Sequence, residues 1–312
     1  MDIAAGPART RTVLAVSARR QVFEIPGDVA PDFVRVGEGG GVFARIREKQ
    51  PPEAWLAALD RDPDPTGRMD AIEALAEWPD RALPGLAAAA AKDPFWAVRR
   101  DAAKALGRIP GKVSLDAILS AAADTDPRVR EAAAEALAGR TREEAGPVLA
   151  AMATGDANTY VRSQAARSLG KVHAENAFDV LAGLLAVASH RETLRQGALD
   201  GLAALGDRRA VALATPLLAY DWPRGDHLGM REAALRLLLA LAPDEPATRA
   251  AVVRLLDDPF HRMRPLACEI AGNYLVREAE PALRRLAEKD AFESVRNAAK
   301  AALAKVTAPP KK

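Results

Sequence analysis

The chain is short of the residues that most often carry chemistry. It has one cysteine, Cys268, and four histidines in 312 residues. One cysteine excludes an internal disulfide and any paired-cysteine metal site. The histidines are His173, His190, His227 and His261, and no two are spaced i, i+4, so H-E-x-x-H is absent. Nor is there a P-loop or a recognisable Ser/His/Asp set. Aromatics make up only 4% of the chain, so alanine and leucine must fill the core. A formal net charge of +2 argues against a nucleic-acid groove, which needs a strong basic stripe. No run of 18 apolar residues suggests a membrane span, and the N-terminus lacks the apolar core of a secretory signal. Together these absences lead us to expect a cytoplasmic protein that needs no cofactor and has no catalytic set.

What is present is a repeat. Arg68, Arg99, Arg130, Arg162, Arg195, Arg231, Arg264 and Arg296 are separated by 31, 31, 32, 33, 36, 33 and 32 residues. A period in this range marks stacked supersecondary units. Most of these arginines follow an apolar residue, such as Val98, Val129 or Val295. Small or apolar residues recur four, seven and eight positions after it, as in Ala102, Ala105 and Leu106, or Ala299, Ala302 and Leu303. That spacing lays one apolar stripe along a helix. Glycine often follows the stripe, at Gly107, Gly139, Gly170, Gly206 and Gly272, where a left-handed C-cap would stop the helix. Ala/Leu-rich segments at 112–124, 142–155, 174–189, 207–220, 244–257 and 277–289 also read as helical, with Pro216 expected to kink one of them.

Six residues before the arginine stands Asp62, Asp93, Asp124, Asp156, Asp258 or Asp290; Ser189 and Gly225 replace it in two units. Aspartate there is suited to cap a helix, and Asp93-Pro94 and Asp258-Pro259 add a proline suited to the first turn. The arginines could form a phosphate-binding row. They could instead join the aspartates in a ladder between repeats. A phosphate groove would not need the aspartates, so the pairs Asp62/Arg68, Asp93/Arg99, Asp124/Arg130, Asp156/Arg162, Asp258/Arg264 and Asp290/Arg296 read as structural.

The pattern Asp-x-x-x-x-Val-Arg-x-x-Ala-Ala-x-x-Leu-Gly resembles the HEAT repeat. This implies an all-α fold, a HEAT-repeat α-solenoid of about eight helix pairs over residues 51–307. Residues 1–50 lie outside the repeat and read as a small β segment. Strands are expected at Thr12–Val16, Gln21–Ile25, Phe33–Val36 and Val42–Ile46, with a Gly37–Gly41 turn. They would either cap the first repeat or end a larger β domain. A tail at 308–312 reads as disordered.

The junction also resembles bacterial zinc aminopeptidases of the aminopeptidase N type. The residues that carry the likeness are Gln21, Phe23, Pro31, Val34, Val36, Lys49, Trp55 and Leu59, with the later Gly67-Arg68 and Phe95-Trp96 segments. In that family the solenoid closes over a catalytic domain and limits access by long substrates. The resemblance implies a non-catalytic C-terminal part whose partner is a metallopeptidase catalytic domain. Alternatives are an independent HEAT scaffold for a protein or peptide partner and, more weakly, a HEAT-like lyase. Partners of other classes, nucleic acid and membrane, are not expected.

Candidate contact residues come from the turns. Phe95, His227, Phe260 and Phe292 recur four residues before the arginine, with Trp96, Tyr160 and His261 nearby. They could pack beneath the loops or form a partner-binding edge, since aromatics anchor interfaces. Tyr220, Trp222, Arg224 and His227 lie in the longest unit, where insertions tend to form loops on a binding face.

Overall fold

The computed structural model describes residues 1–6, 8–36, 48–219 and 227–308. They form two compact units, Met1–Gly139 and Arg140–Lys312. The first holds a small sheet and six helices: α1 Pro52–Arg61, α2 Pro65–Leu75, α3 Pro79–Lys92, α4 Trp96–Leu106, α5 Lys112–Ala121 and α6 Pro127–Leu137. The second holds ten: α7 Arg142–Gly155, α8 Thr159–Lys171, α9 Ala177–Leu184, α10 Thr193–Leu205, α11 Ala210–Ala214, α12 Leu228–Leu241, α13 Pro246–Leu255, α14 Met263–Asn273, α15 Glu280–Lys289 and α16 Glu293–Val306. The helices pair antiparallel in sequence order, so the fold is an array of eight helix pairs. Each buries an Ala/Leu stripe; Ala102, Ala103 and Leu106 of α4 are fully buried, as are Ala165, Ala166 and Leu169 of α8. Pro216 does not kink a helix. It follows the end of α11 and sits in a short 3₁₀ turn, Thr215–Leu218, where its missing N–H costs little.

Within each unit, arginine and aspartate join consecutive pairs. Arg68 donates from Nε and Nη2 to Asp93 at 2.7 and 2.9 Å, and from Nη1 to its own repeat's Asp62 carbonyl at 2.7 Å. Arg99 repeats the pattern with Asp124 and the Asp93 carbonyl. Arg264 does so with Asp290 and the Asp258 carbonyl. Arg231, almost wholly buried, donates to Asp258 and to the Leu218 carbonyl. Where no aspartate follows, the guanidinium turns to main chain: Arg162 Nε donates to Ala153 O at 3.0 Å and Arg195 Nε to Leu185 O at 2.7 Å. The last arginine, Arg296, holds the Asp290 carbonyl at 2.7 Å. Arg130 donates to the Asp124 and Thr125 carbonyls.

The sheet supplies the first rung. Its order is β2-β1-β3, all antiparallel, from β1 Asp2–Ala5, β2 Ala8–Arg11 and β3 Phe33–Arg35. Arg35 and Arg9 each approach the Asp62 carboxylate at 3.6 Å, and Arg35 Nη1 donates to Asp70 at 2.9 Å. They stand where a preceding repeat's arginine would stand. Gly67 leaves room for them: a Cβ there would lie 2.0 Å from Asp62 Oδ2 and 2.7 Å from Arg35 Nη1. The outer edge of β3 is closed by side chains, with Gln50 bonding both the N–H and C=O of Val34 and Glu48 accepting from Val36. This blunts an edge that would otherwise template another strand.

Three expectations are corrected. Thr12–Val16 and Gln21–Ile25 form no strand; Val13 and Val22 stand in solvent, because alternating β-formers need a neighbouring edge to pair with. The strand expected at Val42–Ile46 and the Gly37–Gly41 turn lie outside the described residues. Of the five stripe glycines, only Gly206 is left-handed, at φ 77°. Three of the others serve packing: a Cβ on Gly107 would meet Ala136 Cβ at 2.9 Å, one on Gly170 would meet Gly201 O at 2.0 Å, and one on Gly272 would meet Ala302 Cα at 3.0 Å; Gly139 has room for a Cβ. Finally, Asp93 and its counterparts do not cap the helix. They accept the N–H two residues on, in the turn, and Pro94 and Pro259 precede the helix rather than begin it. True N-caps are Asp64, Asp126 and Asn158.

Three stability predictions result. Arg264→Met leaves the Asp290 carboxylate buried without its partner, and should cost about 3 kcal/mol in denaturant unfolding. Burial, the largest single influence, pushes the Asp290 carboxyl up, but the Arg264 hydrogen bond, the Phe292 N–H and the arginine charges together hold the group below its ordinary value; Asp124 behaves alike with Arg99 and the Asp126 N–H. A carboxylate lowered in the folded state stabilises at pH above its unfolded value of about 4, and that contribution is lost as pH falls through the folded value. The thermal midpoint of the wild-type chain should therefore drop below about pH 4, and less steeply in Arg264→Met. Separately, Gly201→Val should prevent α8 and α10 from closing, since a Cβ there meets Ala166 O at 2.4 Å; circular dichroism melting would show a fall of several degrees, and an unchanged midpoint would refute the packing role.

Candidate partner-binding edge

In the six units that have one, the turn before the arginine-bearing helix is set by the aspartate. Asp93 Oδ1 accepts the Phe95 N–H at 2.8 Å, and Asp290 Oδ1 accepts the Phe292 N–H at 2.9 Å. A side-chain oxygen bonded two residues on forms an Asx turn. It places Phe95 and Phe292 at the N-caps of α4 and α16, where neither side chain can cap. Both rings point outward, 37% and 43% exposed. Asp258 sets Phe260 in the same way at 3.0 Å.

The first unit carries one aromatic patch. Phe95 and Trp96 lie 5.8 Å apart at a tilt of 48°. Arg128, from the next repeat's turn, stacks on Trp96 at 3.3 Å, and Arg100 approaches its ring at 5.0 Å. Asp126 holds Arg128 in place at 2.7 and 3.0 Å; that bond takes the Asp126 carboxyl down to about 2. The second unit carries another. His261 stacks on Phe292 at 4.2 Å and 12°, and meets Phe260 at 5.4 Å, so three rings link two consecutive repeats. Arg264, a ladder arginine, lies 5.8 Å from the Phe292 ring.

The remaining sequence candidates do not join these patches. Tyr160 is 54% exposed on the first turn of α8, with no ring contact among the described residues. His227 is the half-buried residue before α12. Tyr220, Trp222 and Arg224 lie outside the described residues. Arg128 and Arg100 were missed by reading aromatics alone. Aligning the repeats shows the signal, because Arg128 follows Pro127 in the turn one unit after Trp96. Cys268 is buried in α14, and burial pushes its thiol up to about 12, leaving essentially no thiolate at neutral pH. Among the described residues no three His, Cys, Asp or Glu side chains gather as a metal set, and no helix is long and apolar enough to cross a membrane.

Comparison with known proteins places the architecture. The family model described as HEAT repeats matches residues 52–138, 83–166 and 146–227, overlapping windows that take in more than half of the chain. No curated protein matches the sequence. Among solved structures, the chain is similar to YibA of Escherichia coli, with 16% identity, TM-score 0.54, and coverage of 75% of this chain and 85% of that one. It is similar to the karyopherin Kap121p, solved bound to the extreme C-terminus of the protein phosphatase Cdc14p, with 13% identity, TM-score 0.52, and coverage of 81% and 33%. A looser likeness, TM-score 0.41 at 19% identity over 85% and 98%, is to the CpcE–CpcF complex of phycocyanin lyase from Nostoc sp. PCC7120. At these identities the likeness speaks to fold alone, and nothing in it ties the chain to an aminopeptidase. With the Asp/Arg period, the paired helices and the family match in agreement, the chain belongs to the HEAT-repeat family.

Proposed function

We propose that this chain is a non-catalytic HEAT-repeat array that binds a protein or peptide partner through its aromatic turns. The observation that carries the reading is the His261–Phe292 stack with Phe260 beside it. Rings that merely sealed a repeat would sit beneath the turn. These lie on it, with Phe292 43% exposed, and they connect two repeats. Rigid aromatic groups with few torsions make efficient anchors, because little side-chain entropy is lost on binding. The Phe95–Trp96–Arg128 patch offers the first unit the same chemistry.

A narrower form makes the array the access-limiting end of an aminopeptidase N-type enzyme. It rests on the junction residues and the Phe95-Trp96 segment, and Gln21–Ile25 lacks the strand on which part of that likeness depends. An open reading frame carrying H-E-x-x-H immediately upstream would support it.

The experiment is site-specific photocrosslinking in cells, with a benzophenone amino acid at position 95 or 292 and at exposed Val113 as control. One protein should be captured from 95 and 292 and not from 113. Phe260→Ala with Phe292→Ala should then weaken that partner's binding at least tenfold, the usual scale of aromatic hot spots of about 2 kcal/mol. Equal capture from Val113, or unaltered affinity in the double variant, would defeat the proposal.

A further inference from the structure

A second periodic position lies five residues after each ladder arginine. It reads Glu73, Lys104, Glu135, Arg167, Asp200, Arg236, Glu269 and Ala301. The sign alternates without a break from Glu73 to Glu269, and then the next member is uncharged. Within the units, opposite signs meet: Lys104 with Glu135 at 3.1 Å, and Asp200 with both Arg167 at 3.1 Å and Arg236 at 2.9 Å. Glu269 is exposed, and among the described residues it has no ion-pair partner. Alternation would place a cation at 301, where there is only a methyl group.

The missing side chain leaves a groove. It holds about 370 Å³ between α14 and α16, and its lining combines the apolar Pro265, Leu266, Ala298, Ala301 and Ala302 with the charged Glu269 and Lys305. Lys305 does not neutralise Glu269; its ammonium donates to Asn273 at 2.7 Å. The close approach of Gly272 to Ala302 brings the helices together beneath the groove. Its size is at the small end for a ligand pocket.

We infer that this groove receives a lysine or arginine side chain from a protein partner, with the aliphatic stem on the apolar lining and the charged end on Glu269. Long basic side chains bury their stems along apolar surface while keeping their charge at a polar partner. The groove offers both parts in that arrangement, and the basic group completes the alternation that Ala301 breaks. The inference deepens the proposed function by naming a partner chemistry, and it uses a helix face distinct from the aromatic turns.

The test is amide-resolved NMR titration of the full chain with acetyl-Ala-Lys-Ala-amide, its arginine and norleucine analogues, and its glutamate analogue. The lysine and arginine peptides should shift the signals of Glu269, Ala298, Ala301 and Ala302 saturably. Norleucine, which keeps the stem and loses the charge, should bind at least threefold more weakly, and glutamate should not bind there. Glu269→Gln should lower lysine binding to the norleucine level. Ala301→Lys, which restores the cation from within the chain, should block the groove. Equal binding of the lysine and norleucine peptides, shifts confined to other residues, or an unchanged response in Glu269→Gln overturns the inference. Crosslinking from positions 95 and 292 reads the aromatic turns independently, so either result can fail without the other.

Discussion

The bidentate bond from one repeat's arginine to the next repeat's aspartate organises the rest of each unit. Ala/Leu stripes supply most of the burial, but such stripes are nearly interchangeable between helices and specify register poorly. A planar guanidinium with fixed donors does specify register. Arg99 spans its own Asp93 carbonyl and the Asp124 carboxylate together, so a slip of one residue would lose both. The charge stays satisfied because each aspartate also receives a turn N–H. Desolvating an ion pair is costly unless such extra bonds are made. The first aspartate, Asp62, has no preceding repeat, and the sheet's Arg35 and Arg9 occupy that place. The small sheet thereby engages the array at the same aspartate position, through ion pairs at 3.6 Å in place of the bidentate hydrogen bond that joins the repeats.

Where the ladder lacks a carboxylate, packing takes over. Ser189 stands at the aspartate position after Arg162, and the arginine falls back on the Ala153 carbonyl. At that step α8 and α10 are held by backbone approach. Gly170, Gly197 and Gly201 each leave space that a Cβ would fill at 2.0–2.4 Å from main chain, and Ser163 Oγ donates to Thr193 O at 2.9 Å. Glycine inside a helix costs roughly 1 kcal/mol of propensity. Dispersion contacts between closely packed backbones offset that cost here. One array therefore uses two kinds of joint, one polar and directional, the other steric.

Much of this was legible in the sequence because it is periodic. Eight arginines at near-constant spacing, with small residues at helical offsets, define the helix pairs without any tertiary knowledge. The sheet was not legible in the same way. Ala4, Ala5 and Ala8 have weak strand propensity and pair anyway, while Val13, Val22 and Phe23 have strong propensity and do not. Strand formation depends on a neighbouring edge, which a single segment cannot reveal. Glycine was ambiguous for a related reason. Gly206 ends a helix by its left-handed φ, and Gly170 continues one because Gly201 faces it; only the partner helix distinguishes them. At the candidate edge, the aromatic positions were visible by period, but the Arg128–Trp96 stack and the His261–Phe292 stack join residues from successive repeats.

The ladder and the aromatic edge depend on the same side chains. Asp93 and Asp290 each spend one carboxylate on two tasks, receiving an arginine from the preceding repeat and the N–H of the aromatic residue two positions on. The first task fixes repeat against repeat. The second fixes Phe95 or Phe292 at a helix N-cap, where no side-chain capping bond is available and the ring is held outward. Display of these rings is therefore a consequence of how the repeats are joined, and requires no separate loop scaffold. This coupling pre-organises the surface, lowering the entropy lost on binding. It also constrains change: the aromatic residue can be exchanged while the joint survives, but the aspartate cannot be altered without loosening the joint and the displayed ring together.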